Sequence, residues 1–350
     1  VRDGRFAPVR TPFDLPPEEG EAVEIAEGVL WMRLPLPSPL KHVNVFALAE
    51  GQGWTLVDTG LSTGRSRAIW AALLAGPLGG RPVERVILTH HHPDHVGLAG
   101  WFQAEAGAEL WTSRTAWLFA RMLTLDEQAR PRPETLEFYR GAGMDPALLA
   151  ERAAERPFNF ADVVAPMPLG FRALAEGDRI RTGGRDWDVR LGDGHAPDHV
   201  TLWSRDDGLV IGGDQLLSSI SPNLGVYATE PLNDPVAGWL ESCTRLAAHA
   251  REDHLVLPGH KLPFTGLPTR LVQLIENHHG ALARLLEALA EERTACDCFG
   301  VLYRREIGTG EYGLALAEAV GHLNHLYLTG RATRRRRPDG AWLYRRSGAG

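Results

Sequence analysis

The run Thr89-His90-His91-His92-Pro93-Asp94-His95 gathers four imidazoles and one carboxylate into seven residues, directly after the apolar stretch Val86-Ile87-Leu88. On an extended segment, side chains two apart share a face, so His90 and His92 can converge on one point while His91 faces the other way. Pro93 ends the extended stretch. Asp94 and His95 then fall on the first turn of the next segment, in which Val96 to Glu109 reads as a helix carrying Leu98, Trp101 and Phe102. An Asp there also suits the positive end of a helix dipole. A surface tract or a purification tag would be the plain explanation of a histidine run. This one is internal, led by a strand and mixed with acid, and imidazole plus carboxylate is the ligand mix of zinc and related ions.

Metal sites are assembled from distant segments, so matching ligands are expected at other strand ends. Gly192-Asp193-Gly194-His195 follows the strand ending at Leu191, Gly212-Gly213-Asp214 follows Val210-Ile211, and Pro258-Gly259-His260 follows Leu255-Val256-Leu257. The glycines permit sharp turns and close backbone approach. The candidates are therefore His90, His92, Asp94, His95, His195, Asp214 and His260. Three histidines make one open tetrahedral site, two histidines with a carboxylate make another, and the remaining carboxylate can bridge them. For His199, a buttress to the site and an ordinary structural role are both open. The pair His278-His279 reads as packing or solvent-facing, and His42, His91, His249, His254, His322 and His325 receive no role.

The elements that must position these residues can be read around them. Apolar runs at 28–32, 43–48 and 54–57 form an antiparallel start, with Glu50-Gly51-Gln52-Gly53 as a hairpin turn. The third run delivers Asp58-Thr59-Gly60, after which Ser62 or Thr63 caps a helix stopped by Gly76-Pro77. A strand over 83–88 leads to the histidine run. Helices near 113–122, 134–141 and 146–156, two of them opened by Pro133 and by Asp145-Pro146, form an inserted helical segment at about 112–173 that covers or shapes a pocket or simply adds packing. Strands resume at 187–191, 200–203, 209–211 and 254–257, followed by a long helix over 269–291. From Cys296 onward the chain reads as two helices and a hairpin turning at Pro338-Asp339-Gly340, the outline of a small winged-helix-like domain. The expected division is therefore a larger domain at 1–275 that carries the candidate ligands and a smaller C-terminal domain at 276–350.

At 350 residues the chain can bury a real core. Cys243, Cys296 and Cys298 cannot all pair, which fits a reducing cytoplasm, and no run resembles a signal peptide or approaches the ~20 apolar residues of a membrane span. A net charge of −7 argues against a general nucleic-acid binder, although seven arginines crowd residues 331–350. Of these, Arg334 to Arg337 can meet phosphate or, as the commoner explanation, simply line a solvated wing strand.

The ordered set His90-x-His92-x-Asp94-His95, Gly194-His195, Asp214 and Gly259-His260 resembles the metallo-β-lactamase superfamily, in the branch whose metal set is like that of glyoxalase II, over about residues 25–275. The resemblance implies an α/β fold, a four-layer αββα sandwich. It also implies His90, His92 and His195 on a first divalent ion, Asp94, His95 and His260 on a second, Asp214 between them, and Asp58 supporting the ligands. Zinc is the first expectation for both ions, with iron or manganese as alternatives. A hydroxide shared by the two metals would attack an ester-like bond, with Asp94 orienting it, so a thioester or lactone is the expected small-molecule substrate. The bridging position is Asp214 and no Cys is offered to the second site, which argues against antibiotic hydrolysis. Residues 257–264 and the tail also resemble a subgroup that includes single-strand ribonucleases, giving RNA cleavage as the alternative. Oxidation of a sulfur substrate at a single iron is a second alternative, and a winged-helix regulator with a vestigial hydrolase domain is a third that the intact ligand set disfavours.

Overall fold

The computed structural model describes residues 7–348, so the outermost residues of the N-terminal stretch and of the Arg-rich tail lie outside the described residues. The chain divides into two units, the first made of residues 1–127, 159–222 and 246–271, the second of 128–158, 223–245 and 272–350.

The first unit holds two sheets. One is ordered β1 (Val23–Ala26), β2 (Val29–Pro35), β3 (His42–Glu50), β4 (Gly53–Val57), β5 (Val83–Ile87), β6 (Glu109–Ser113) and β7 (Arg172–Leu174). Its first pairings are antiparallel and those from β4 to β7 parallel. The other sheet runs from β8 (Arg179–Thr182) through β9 (Arg185–Gly192), β10 (His199–Ser204) and β11 (Leu209–Gly213) to β12 (Leu255–Pro258), with only β11 and β12 parallel.

Period-two alternation explains how both faces of the first sheet are buried. On β2, Val29 and Trp31 join a core with Trp187, Val189, Val200 and Ile211 of the other sheet, while Met32 and Leu34 point into a second core. That second core is closed by Ile69, Trp70 and Leu73 of α1 (Gly64–Ala75) and by Ala99 and Phe102 of α3 (Ala99–Ala106). Thr63, one of the two expected caps, accepts the N–H of Ser66 at 3.0 Å, and Gly76 ends the helix.

The segment expected as one helix from Val96 to Glu109 is two helices, α2 (Pro93–Val96) and α3, and Glu109 already belongs to β6. The break has a steric and a hydrogen-bonding cause. A Cβ on Gly97 would lie 2.3 Å from the Gly60 carbonyl, so the turn is wedged against the strand-end loop, and Leu98 N–H is donated to Thr59 Oγ1 at 3.0 Å. Thr59 thus ties the second ligand-bearing turn to the end of β4. Between β6 and β7 lie α4 (Arg114–Leu125), α5 (Pro133–Gly141) and α6 (Pro146–Ala154), the helices expected of the insertion.

The second unit includes α5 and α6 with most of α7 (Pro235–Ala247) and α8 (Leu267–Ala288), then α9 (Phe299–Tyr303), α10 (Tyr312–Leu328) and the hairpin β13 (Ala332–Arg336) with β14 (Trp342–Arg346). Asp145 caps α6 by accepting Ala147 N–H at 2.8 Å, with Pro146 at the first helical position. Among the described residues, no helix is long and apolar enough to cross a membrane.

Candidate metal centre

The parallel strands β4 and β5 end side by side, which brings Asp58 against Thr89. Asp58 sits in left-handed backbone at φ 58°, and its N–H bonds the Ile87 carbonyl at 2.9 Å. Its carboxylate then accepts Thr89 N–H and Thr89 Oγ1–H, both at 2.8 Å, and His95 Nδ1–H at 2.7 Å. Because the Thr89 hydroxyl donates to Asp58, it accepts from His90 Nδ1–H at 3.0 Å. His260 Nδ1 similarly donates to the His42 carbonyl at 3.0 Å. In each of the three histidines Nδ1 is held as a donor, so that with a metal bound Nε2 would offer its lone pair, an arrangement typical of metal-ligating imidazoles.

Those lone pairs converge. His90 Nε2 lies 2.9 Å from His92 Nδ1, which lies 3.0 Å from His195 Nε2. His92 precedes Pro93, whose ring holds it extended, and so it turns back toward His90 as α2 begins. One turn on, Asp94 Oδ2 is 3.3 Å from His260 Nε2 and 3.7 Å from His95 Nε2. The Asp214 carboxylate reaches both neighbourhoods, at 3.4 Å from His195 Nε2, 3.3 Å from His260 Nε2 and 3.6 Å from His95 Nε2. Among the described residues, three groups could hold an ion, each with its donor atoms within 4.8 Å of one another: His90, His92 and His195; His90, His95 and Asp214; Asp94, His95 and His260. All seven residues singled out from the sequence are thus brought together.

A divalent cation fits this donor set on two observations. His95 Nε2 and Asp214 Oδ1 are buried and have no hydrogen-bond partner, although each points into the cluster. Orphaned buried polar atoms are costly, and a cation between them removes that cost. The electrostatics agree. Burial and the neighbouring imidazoles hold His90 and His92 well below the usual imidazole pKa, so both are neutral donors. Burial opposes charge on His95 and His260 as well, but the surrounding carboxylates outweigh it, raising His260 to about 10 and His95 well above its ordinary value. Without an ion, the acid-rich half of the cluster holds protons where a cation would sit.

Glycines let the loops approach this closely. A Cβ on Gly259 would stand 2.2 Å from Asp214 Oδ1 and 2.9 Å from His95 Cε1, and one on Gly213 would stand 2.5 Å from His199 Cε1. His199, whose role the sequence left open, is fully buried, stacks on His90 with ring centroids 4.6 Å apart, and accepts Asp214 N–H at Nε2 over 3.1 Å. It positions one ligand and backs another. His91 packs on Phe119 at 5.0 Å and belongs to none of the three groups. Thr89 was not singled out from the sequence. Its only signal there is its place between a strand and a histidine run.

Residues 38–260 match the family described as "Metallo-beta-lactamase superfamily", and residues 282–347 match "Metallo-beta-lactamase-like, C-terminal domain". A Bacillus subtilis (strain 168) protein described as "Probable metallo-hydrolase YqjP" is 26% identical over 309 residues, covering 86% of this chain and 92% of that one. A hydroxyacylglutathione hydrolase of Cereibacter sphaeroides is 26% identical over 186 residues, which is 51% of this chain and 53% of that protein. Among solved structures, a beta-lactamase domain protein from Burkholderia ambifaria superposes with a TM-score of 0.89 at 35% identity, covering 97% of this chain and 98% of that one. With the family matched over most of its length and a relative of the same fold along nearly all of it, the chain belongs to the metallo-beta-lactamase superfamily and is a metal-dependent hydrolase.

Proposed function

We propose that the protein is a dinuclear, zinc-dependent hydrolase of an ester-like bond, with a thioester or lactone as its substrate class. The observation that carries this reading is the position of the Asp214 carboxylate, within 3.4 Å of His195 and 3.3 Å of His260, one histidine from each of two ligand groups. His90, His92 and His195 would hold one ion, Asp94, His95 and His260 the other, and Asp214 would touch both. Bound there, divalent ions supply Lewis acidity, polarising the scissile group and lowering the pKa of water.

The chain's own work is orientation and proton handling. Asp58 fixes His95 directly and His90 through Thr89, and the His42 carbonyl fixes His260. Asp94 has a side chain 19% exposed against 8% for Asp214, which supports Asp94 as the carboxylate that orients the attacking water and takes its proton. The similarity to a hydroxyacylglutathione hydrolase supports an acyl bond to sulfur as the first substrate class to assay.

Metal analysis of freshly purified protein, with the same sample assayed on thioester, lactone and RNA panels, tests the reading. Two zinc equivalents and turnover on the acyl panel are expected, and Asp214→Asn or His260→Ala should lower turnover at least ~100-fold. Near-normal turnover in either variant overturns the two-ion reading. A single iron equivalent would instead favour oxidation of a sulfur substrate.

A further inference from the structure

Among the described residues, five other than glycine adopt left-handed backbone: Lys41, Asp58, Asp198, Lys261 and Arg304. Four of them sit at the metal centre's loops. Asp58 holds His95, Asp198 adjoins His199, Lys261 follows His260, and Lys41 precedes His42, whose carbonyl takes the His260 proton. Side-chain-bearing residues persist in this strained conformation where the surroundings over-determine it, as at ligand clamps.

Lys41 and Lys261 are also the only lysines in a chain whose Lys and Arg together number 37. Lys261 is held firmly. Asn44 Nδ2–H donates to the Lys261 carbonyl at 2.8 Å and to the Pro258 carbonyl at 2.9 Å, while Asn44 N–H donates to the Gly259 carbonyl at 2.7 Å. Trp31 Nε1–H in turn fixes the Asn44 side-chain oxygen at 2.9 Å. This clamp holds the His260 loop and its lysine as one rigid piece.

Lys261 lines a cavity of about 440 Å³ together with His42, Ser218, Ser219, Thr11 and Leu262. Ser218 and Ser219 follow Asp214 by four and five residues and Lys261 follows His260, so part of the cavity wall comes from the two loops that carry Asp214 and His260, and the rest from His42 and the N-terminal residues Val9, Thr11 and Pro16. Among the described residues, no carboxylate lines the cavity and Lys261 forms no ion pair. His42 Nε2, buried and without a hydrogen-bond partner, adds an unused polar atom from a residue on the cavity wall. A half-buried cation without a counter-ion, surrounded by hydroxyls, is the chemistry of an anion site.

We propose that this cavity binds an anionic group, a carboxylate or a phosphate, carried by the substrate that the metal centre hydrolyses. Lys261 Nζ is the counter-ion, and the Ser218 and Ser219 hydroxyls are the hydrogen-bond donors. The substrate assignment rests on the proposed hydrolase reading. The anion site itself does not.

Two measurements separate these. In the first, metal-depleted full-length protein is titrated calorimetrically with succinate and with inorganic phosphate, which leaves no metal to bind either anion. Wild type should bind at least one of them, Lys261→Met should weaken that binding roughly tenfold or more, and Lys261→Arg should largely restore it. Absence of binding to wild type, or equal binding by Lys261→Met, overturns the site. Thermal midpoints check that the variants fold. If Lys261→Met does not fold, the double variant Ser218→Ala, Ser219→Ala takes its place with the same expectation.

In the second, the metal-loaded enzyme is assayed on succinyl and butyryl thioesters of one thiol, which differ by the terminal carboxylate. The ratio of their kcat/KM values should fall roughly tenfold in Lys261→Met. An unchanged ratio overturns the substrate role and leaves a site for free anions only. If wild type hydrolyses neither thioester, the acyl-hydrolase reading fails while the titration still decides the anion site.

Discussion

Asp58 illustrates what a single carboxylate outside the ligand set does. It accepts three hydrogen bonds, and two of the chains it anchors end in candidate ligand nitrogens, those of His95 and, through Thr89, His90. Asp58→Asn keeps a residue type that tolerates left-handed backbone but places an amide donor or a weaker acceptor against Nδ1–H. Zinc affinity should fall about 10–100-fold by competition titration, with the thermal midpoint of the metal-free protein little altered. Wild-type affinity would remove Asp58 from the supporting role. The histidines and carboxylates were legible in the sequence because ligand chemistry restricts residue type and strand periodicity restricts spacing. Thr89 was not, since its role depends on a distance between segments, and Gly259 was legible as a point of close backbone approach but not by what it approaches. Nothing about a glycine in a chain announces that a methyl there would strike Asp214 Oδ1.

At the scale of elements, the strands that carry ligands were legible and the ones that only complete a sheet were less so. β4, β11 and β12 are largely apolar and β5 and β9 mix apolar with charged residues, yet each buries apolar positions and leads into a turn carrying a candidate ligand or its support, whereas β7 spans three residues and β8 four, with exposed arginines in both. Their place is set by the neighbouring strands rather than by their own pattern. Helix α8 and helix α10 show a related limit. His278 and His322, which the sequence left as packing or without a role, are 1% and 2% exposed and stack face to face, with His278 Nδ1 3.2 Å from His322 Nε2. Burial, with the neighbouring positive charge, lowers His278 to about 3 and His322 to about 4.

The unfolded chain takes up these protons near pH 6.5, whereas the folded chain does so only near pH 3 to 4. Their contribution is therefore present above pH 6.5 and is lost as pH falls through that window, on the order of a few kcal/mol for the pair. Glu318, raised to about 7 chiefly by burial, acts in the opposite sense and offsets one histidine, while Asp234, held below the usual carboxylate range, adds to the loss in acid. Thermal midpoints between pH 7 and pH 4.5 should drop with acid. The drop should be clearly smaller when both histidines are replaced by leucine, and an equal drop would refute their part in it.

For the whole molecule, composition alone misstates the charge of the C-terminal hairpin. Seven arginines lie in residues 331–350, but Arg335 pairs with Glu292, Arg336 with Glu137 and Arg337 with Asp339. Arg334 lies over the rings of Tyr327 and Trp342, each 4.3 Å away, so its guanidinium serves packing. The hairpin is also structural: Ala332, Ala341, Leu343 and Tyr344 are buried, so deleting residues 331–350 would expose the second unit's core and test nothing about RNA. Replacing Arg331, Arg345 and Arg346 with glutamine leaves those buried residues and the three ion pairs intact. If the tail tracked a single-stranded phosphate backbone, the change would reduce the slope of log affinity against log salt by about 2, at ~0.7 per contact. The ion-paired hairpin leads to the opposite expectation: weak RNA binding with a shallow salt slope that the triple variant leaves nearly unchanged, measured by fluorescence anisotropy on a labelled oligonucleotide. A steep slope that flattens in the variant would transfer the substrate class from acyl compounds to RNA.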